Sequence, residues 1–242
     1  MRWLKIGLLA GLILAVQGCA TVKTPDPRDP FESFNRSVTG FNDTVDKAVL
    51  KPVATVYKGI TPDWMRKGVR NFFNNIQDVW SVINTALEGR GQEMGDNIGR
   101  VMVNTSFGLL GVIDIASDLN IERHTADFGL TLGRWGVGAG PYVVLPILGP
   151  YTLREVGALP VDWSGDLVYQ FGDQTTALEM TALKLIDYRA SYLNAGDVME
   201  GAALDTYSFT RDAYLQRQRN RQYDGNPPDE DTDTNADTPT QH

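Results

Sequence analysis

Nineteen consecutive residues without a charge, Trp135–Leu153 (WGVGAGPYVVLPILGPYTL), constrain this chain more than any other stretch. The length alone matches a membrane-spanning helix. The composition argues against one: Pro141, Pro146 and Pro150 each remove a backbone donor, and Gly136, Gly138, Gly140 and Gly149 each disfavour helix. Yet the side chains are too apolar for a loop in water. Irregular backbone at membrane depth is tolerated only where protein or a cavity satisfies its polar groups. Two readings remain open: a buried core loop, or a re-entrant segment lining an amphipathic site.

The amino terminus narrows the setting. Arg2 and Lys5 precede the uncharged run Ile6–Val16, the basic and apolar regions of an export signal. The run is too short for a comfortable membrane helix. It ends in Val16-Gln17-Gly18-Cys19, which resembles a bacterial lipobox and holds the single Cys of the chain. Residues 1–18 are read as a lipoprotein signal peptide and Cys19 as the acylated first residue of the mature protein. Several acyl chains on one Cys give firm anchoring. Ala20, in place of Asp, points to onward sorting to the outer membrane. The Pro-rich residues 19–30 form a tether.

The mature chain reads as helices. Phe31, Phe34, Val38, Phe41, Val45 and Val49 share one face, with Asp29-Pro30 as the expected cap and first-turn proline, and Pro52 ends or bends the run. After Thr61-Pro62-Asp63, a second face carries Met65, Val69, Phe72, Ile76, Val79 and Ile83, widened by Phe73, Trp80 and Leu87. A helix apolar over so much of its circumference is enclosed by other helices or touches lipid. Residues 92–118 read as one or two shorter helices, and helix resumes from Leu153. A last segment ends in Arg217, Arg219 and Arg221, where a helix dipole favours cations. Residues 222–242 hold six carboxylates and no Lys or Arg, and read as a disordered acidic tail.

Of 22 basic and 30 acidic residues, 20 and 24 fall between Cys19 and Arg221, so no basic surface for nucleic acid is indicated. One Cys and two His nearly exclude a structural zinc site. His124 could pair with Asp127 as a base and its orienting acid, but no nucleophile sits in a suitable turn. Asp162 and Asp166 could face one another on a helix as an acid pair or cation site, although capping explains them more simply. No active site is assembled, no cofactor is implied, and the chain is not read as an enzyme. An apolar cavity with polar rims, able to hold an acyl-bearing molecule, is the alternative to a plain all-α anchor module.

Several strings resemble the MlaA/VacJ family of outer-membrane lipoproteins: Asp29-Pro-Phe-Glu-Ser-Phe-Asn-Arg36 followed by Phe41-Asn42 and Asp46, Asn71-Phe-Phe-Asn-Asn75, Asn104-Thr-Ser-Phe-Gly108, Gly111–Ser117, Asp127-Phe-Gly-Leu-Thr-Leu-Gly133, Trp135–Tyr142, Leu145–Pro150 and Arg154-Glu155. Their order is consistent from Asp29 to Arg221. Ala126, Leu130 and Glu155 depart from the Glu, Gln and Asp usual in the family. The resemblance implies an all-α, single-domain helical ring over residues 31–221, embedded in the periplasmic leaflet of the outer membrane beside a trimeric porin. Its Gly/Pro-rich segment would furnish an amphipathic channel. Misplaced phospholipid would leave the outer leaflet through it for a periplasmic lipid-binding carrier that serves an ABC transporter, preserving lipid asymmetry. Candidates for channel or ring wall are Phe31, Phe34, Phe41, Phe72, Ile76, Trp135, Gly138, Gly140, Pro141, Tyr142, Val144, Leu145, Pro146 and Leu148. The rival reading is a structural or porin-associated envelope lipoprotein without lipid passage.

Overall fold

Short acceptor side chains set most helix starts. Asp114, Asp127, Asp173 and Asp205 each accept a backbone N–H of the first turn that follows, and Thr152 with Glu155 forms a reciprocal capping box. The computed structural model describes residues 26–170, 173–194 and 205–228, so Cys19, the export signal and residues 229–242 lie outside the described residues. The elements are α1 (Glu32–Val45), a π-helical turn (Asp46–Leu50), α2 (Lys51–Ile60), α3 (Asp63–Leu87), α4 (Gly91–Ser106), α5 (Ile115–Asp118), α6 (Phe128–Arg134), β1 (Tyr142–Leu145), β2 (Gly149–Thr152), α7 (Leu153–Gly165), α8 (Gln174–Ser191) and α9 (Thr206–Gln222). The class is all-α apart from one hairpin. Helix α3 packs along α4, α6 along α7, α2 along α8, and α1 against β1. Among the described residues no helix is long and apolar enough to cross a membrane.

Four local expectations need correction. Asp29 does not cap α1; it is buried and binds Asn35, Tyr207 and Arg211, tying the tether to α9. Of the two readings of Pro52, ending the run and bending it, the first fails. The backbone widens into the π turn just before it, where the Lys51 N–H reaches back to the Asp46 carbonyl, and helix continues. The uncharged stretch is not wholly irregular: Tyr142–Leu145 pairs antiparallel with Gly149–Thr152, Val144 facing Pro150. Finally, α9 runs through Gln222, and Asp224 is ion-paired to Arg90 and Arg134, so order extends past the expected start of the tail.

The helices bury their polar faces. On α3 the inward positions are Asn75, Asp78, Ser81, Asn84 and Thr85, with Phe73 and Ile76; on α4 they are Asn97, Arg100 and Asn104. Large apolar side chains point outward, among them Phe41, Ile60, Trp64, Met102 and Phe107, the last 75% exposed. Buried polar residues outnumber buried apolar ones among the described residues. The apolar interior consists of two small clusters. Val38, Tyr142, Val144 and Tyr207 form one; Phe73, Ile76 and Val168 form the other, backed by Phe72 and Met180.

Candidate functional site

Two asparagines of α1 hold the hairpin. The Asn35 amide donates to the Tyr142 carbonyl (3.1 Å) and accepts the Val144 N–H (2.8 Å). Asn42 donates to the Leu145 carbonyl (3.0 Å) and accepts the Ile147 N–H (2.7 Å). The spacing has a geometric reason. Seven helical residues advance about 10.5 Å, and three strand residues advance about 10 Å, so amides two turns apart meet successive β1 groups. The free edge of β1 is thereby paired by side chains. The tip is strained: Ile147, a β-branched residue, sits at φ 68°. Tyr142 is packed edge-on by Tyr207 and Tyr214, at 6.3 and 6.0 Å between ring centroids.

Behind the hairpin, the Gly136–Pro141 loop and the last turns of α9 enclose a cavity of about 1510 Å³. Four arginines line it (Arg28, Arg134, Arg154 and Arg219) against two acids, Glu88 and Asp212. Glu88, whose side chain is fully buried, is 2.9 Å from Arg134. A smaller pocket of about 500 Å³, lined by Arg90, His124, Arg217 and Arg221, shares Gln216 and Asn220 with it.

A buried polar spine supports this wall. Asp78 lies between Arg123 (2.6 Å) and Arg100 (3.6 Å); burial raises its pKa, and the two guanidiniums counter that. Arg100 also grips Asp114 through both carboxylate oxygens. Burial pushes the Asp114 carboxyl upward, but bonds from Ser117 and Asn104 and the charge of Arg100 bring it down to about 2. Ser81 exchanges hydrogen bonds with the Ala126 backbone, and Thr131 donates to Asn84. Of the family departures, Ala126 and Leu130 are buried. The Glu155 carboxylate accepts from Thr152 and from the Tyr214 hydroxyl (2.6 Å).

The sequence-selected residues fall in separate places. Gly138, Gly140 and Pro141 line the cavity. Tyr142 and Val144 are buried beneath the hairpin, while Leu145, Pro146 and Leu148 lie at its tip, Leu148 exposed. Phe31, Phe34, Phe41 and Trp135 are exposed. Phe72 and Ile76 belong to the cluster with Val168, away from the cavity. Asn35, Asn42, Arg134 and Arg154 were not singled out for a role. The signals for the asparagines were their place in strings that resemble the family and their seven-residue spacing on an otherwise apolar face.

The chemical pairings weighed from sequence are not formed. His124 meets Asp96 (3.2 Å), whereas Asp127 caps α6 and binds Arg221 (2.8 Å). Asp162 accepts from the Trp80 indole and the Phe128 N–H, and Asp166 caps a 3-10 turn and faces Lys184. Among the described residues no cluster of His, Cys, Asp and Glu is placed to hold a metal.

The comparisons with known proteins bear on the whole of this body. Proteins named intermembrane phospholipid transport system lipoprotein MlaA, from Escherichia coli K12 and Haemophilus influenzae, are 32% and 34% identical to it. These matches cover 88% of this chain and 87% and 88% of theirs. An uncharacterized Rickettsia bellii protein is 30% identical over 87% of this chain and 82% of its own. A chain solved in work on the structural basis for maintenance of bacterial outer membrane lipid asymmetry superposes with a TM-score of 0.68. It is 31% identical and is matched over 82% of this chain and 99% of that one. The family model described as MlaA lipoprotein matches residues 27–221, and the chain belongs to that family.

Proposed function

We propose that this protein removes mislocalised phospholipid from the outer leaflet of the outer membrane, using the cavity behind the glycine loop as an amphipathic passage. Acyl chains on Cys19 anchor it in the periplasmic leaflet beside a trimeric porin. It delivers the lipid to a periplasmic lipid-binding carrier of an ABC-transporter pathway. No catalytic step is assigned to it. One observation carries the reading: a cavity of about 1510 Å³, lined by arginines and apolar residues alike, in a body that exposes many large apolar side chains. Such a body suits lipid outside and a headgroup inside. The names of the relatives support the same role.

The experiment is surface phospholipid content in cells lacking the protein, complemented by the intact chain, Cys19→Ala or Gly138→Trp. Gly138 lines the cavity and a Cβ there meets nothing within 4 Å, so a large side chain can be placed at the passage without a clash at its Cβ. The intact chain should clear the excess, and both variants should leave it. Full clearance by a folded Gly138→Trp protein would refute the passage and favour the envelope or porin-associated reading.

A further inference from the structure

Arg154 is the second residue of α7, in the first turn of a helix, where the dipole disfavours a cation. It is 8% exposed and lines the large cavity. Its Nη1 donates to the Val137 carbonyl (2.8 Å) and to the Gln222 side chain (3.1 Å), both neutral acceptors. Nε is buried with no acceptor, and Nη2 makes no hydrogen bond among the described residues. No carboxylate among those residues stands at ion-pair distance. The adjacent Glu155 is occupied by Thr152 and Tyr214.

The other cavity arginines are engaged. Arg134 meets Glu88 and Asp224, Arg28 meets Asp26 and Asp212, and Arg219 donates to the Pro228 carbonyl. Burial pulls the Arg154 pKa below the usual guanidinium value, yet arginine stays protonated at any cellular pH. A buried charge with no carboxylate at ion-pair distance, offset only by the longer-range fields of Glu155 and Asp127, is costly to a fold unless a ligand supplies a closer counter-charge. The chain makes room for this side chain. A Cβ at Gly133 would lie 2.6 Å from Nη1 and 2.7 Å from Cζ, so a side chain there would push the guanidinium from its place against α6.

We propose that the unpaired side of the Arg154 guanidinium recognises the phosphodiester of a glycerophospholipid held in the cavity. The inference rests on the transport reading above and deepens it. Two oxygens of a phosphodiester match adjacent guanidinium donors. The group read is the one that all glycerophospholipids share, so selection falls on the phosphate and not on the headgroup alcohol. A neutral diacylglycerol offers nothing to it.

The test titrates the full acylated chain in detergent with dihexanoyl phosphatidylglycerol, dihexanoyl phosphatidylethanolamine, dihexanoylglycerol and inorganic phosphate. Arg154→Gln should weaken both phospholipids about tenfold and leave dihexanoylglycerol unchanged, with Arg154→Lys between. Equal loss of phospholipid and dihexanoylglycerol would reduce Arg154 to a support for the loop and overturn the proposal. Unchanged phospholipid binding in Arg154→Gln would overturn it while leaving transport standing. Inorganic phosphate bound as tightly as the lipids would make this a free-anion site, also against it. A wild-type chain that captures no phospholipid would overturn the transport reading as well. Should Arg154→Gln not fold, phenylglyoxal modification of the intact protein decides. Phospholipid should slow reaction at Arg154 severalfold and dihexanoylglycerol should not; equal protection or none refutes the assignment.

Discussion

Replacing Asn42 with alanine removes both bonds that hold the hairpin tip, to the Leu145 carbonyl and from the Ile147 N–H. Each is worth about 1 kcal/mol net, so about 2 kcal/mol is lost. The strain at Ile147, of order 1–3 kcal/mol at φ 68°, then has less to hold it. Two kcal/mol corresponds to about a 30-fold shift in the opening equilibrium of the tip. Amide hydrogen exchange reads this residue by residue. The Ile147 amide should exchange about 30-fold faster in Asn42→Ala. Val144, whose N–H is bound to Asn35, should change far less, as should the amides of α3. An unchanged Ile147 rate would refute the clamp. A uniform acceleration through Val144 and α3 would show that Asn42 supports the whole fold and not the tip.

Two further substitutions probe the interior. Asp114 is held at about 2 against 3.8 when unfolded, so its contribution is present above pH 4 and is lost as pH falls toward 2. Asp114→Asn should therefore be less stable than the parent by about 2 kcal/mol at pH 7, with the gap closing by pH 2; a pH-independent gap in denaturant melts would contradict this. At Gly165 a Cβ would run into the Trp80 ring, whose indole is fixed by Asp162. Gly165→Ala should cost about 1–3 kcal/mol; an unchanged thermal midpoint would refute the close seating of that ring.

Element positions were largely legible, and facing was not. The break at Thr61-Pro62 and the glycines after Leu87 mark helix ends by local chemistry, whereas the cap expected of Asp29 was overridden by its contacts with Asn35, Tyr207 and Arg211. Periodicity locates a helix's apolar face but says nothing of what covers it. For α3, read as either enclosed by helices or touching lipid, Phe73 and Ile76 are buried while Met65, Ile83 and Leu87 are exposed. The equally periodic stripe Asn75, Asp78, Ser81 and Thr85 is buried, and its partners come from α4 and from the segment around Arg123. The hairpin was hidden because Tyr142–Leu145 has no polar alternation and its edge is completed by side chains from Asn35 and Asn42, 107 and 103 residues away in sequence. Arg154 was visible only as part of a family string, because the distance of every described carboxylate from its guanidinium is a property of the folded chain.

A buried polar spine and an exposed apolar surface are one arrangement with a common cause. In water, helices such as α4 would lose by exposing Met102 while enclosing Asn97, Arg100 and Asn104. Those buried groups become favourable only when every partner is in place and water is excluded, as in the grip of Arg100 on Asp114 and the sharing of Asp78 by two arginines. The outward Phe, Ile, Leu and Trp side chains contribute little until an apolar solvent meets them. Under the proposed placement the acyl chains of one leaflet supply that solvent. The spine then sets the shape of the fold, and lipid contact supplies the stabilisation that the two small apolar clusters cannot. Arg154 fits this division: it is a buried cation with no carboxylate at ion-pair distance among the described residues, and it lines the large cavity.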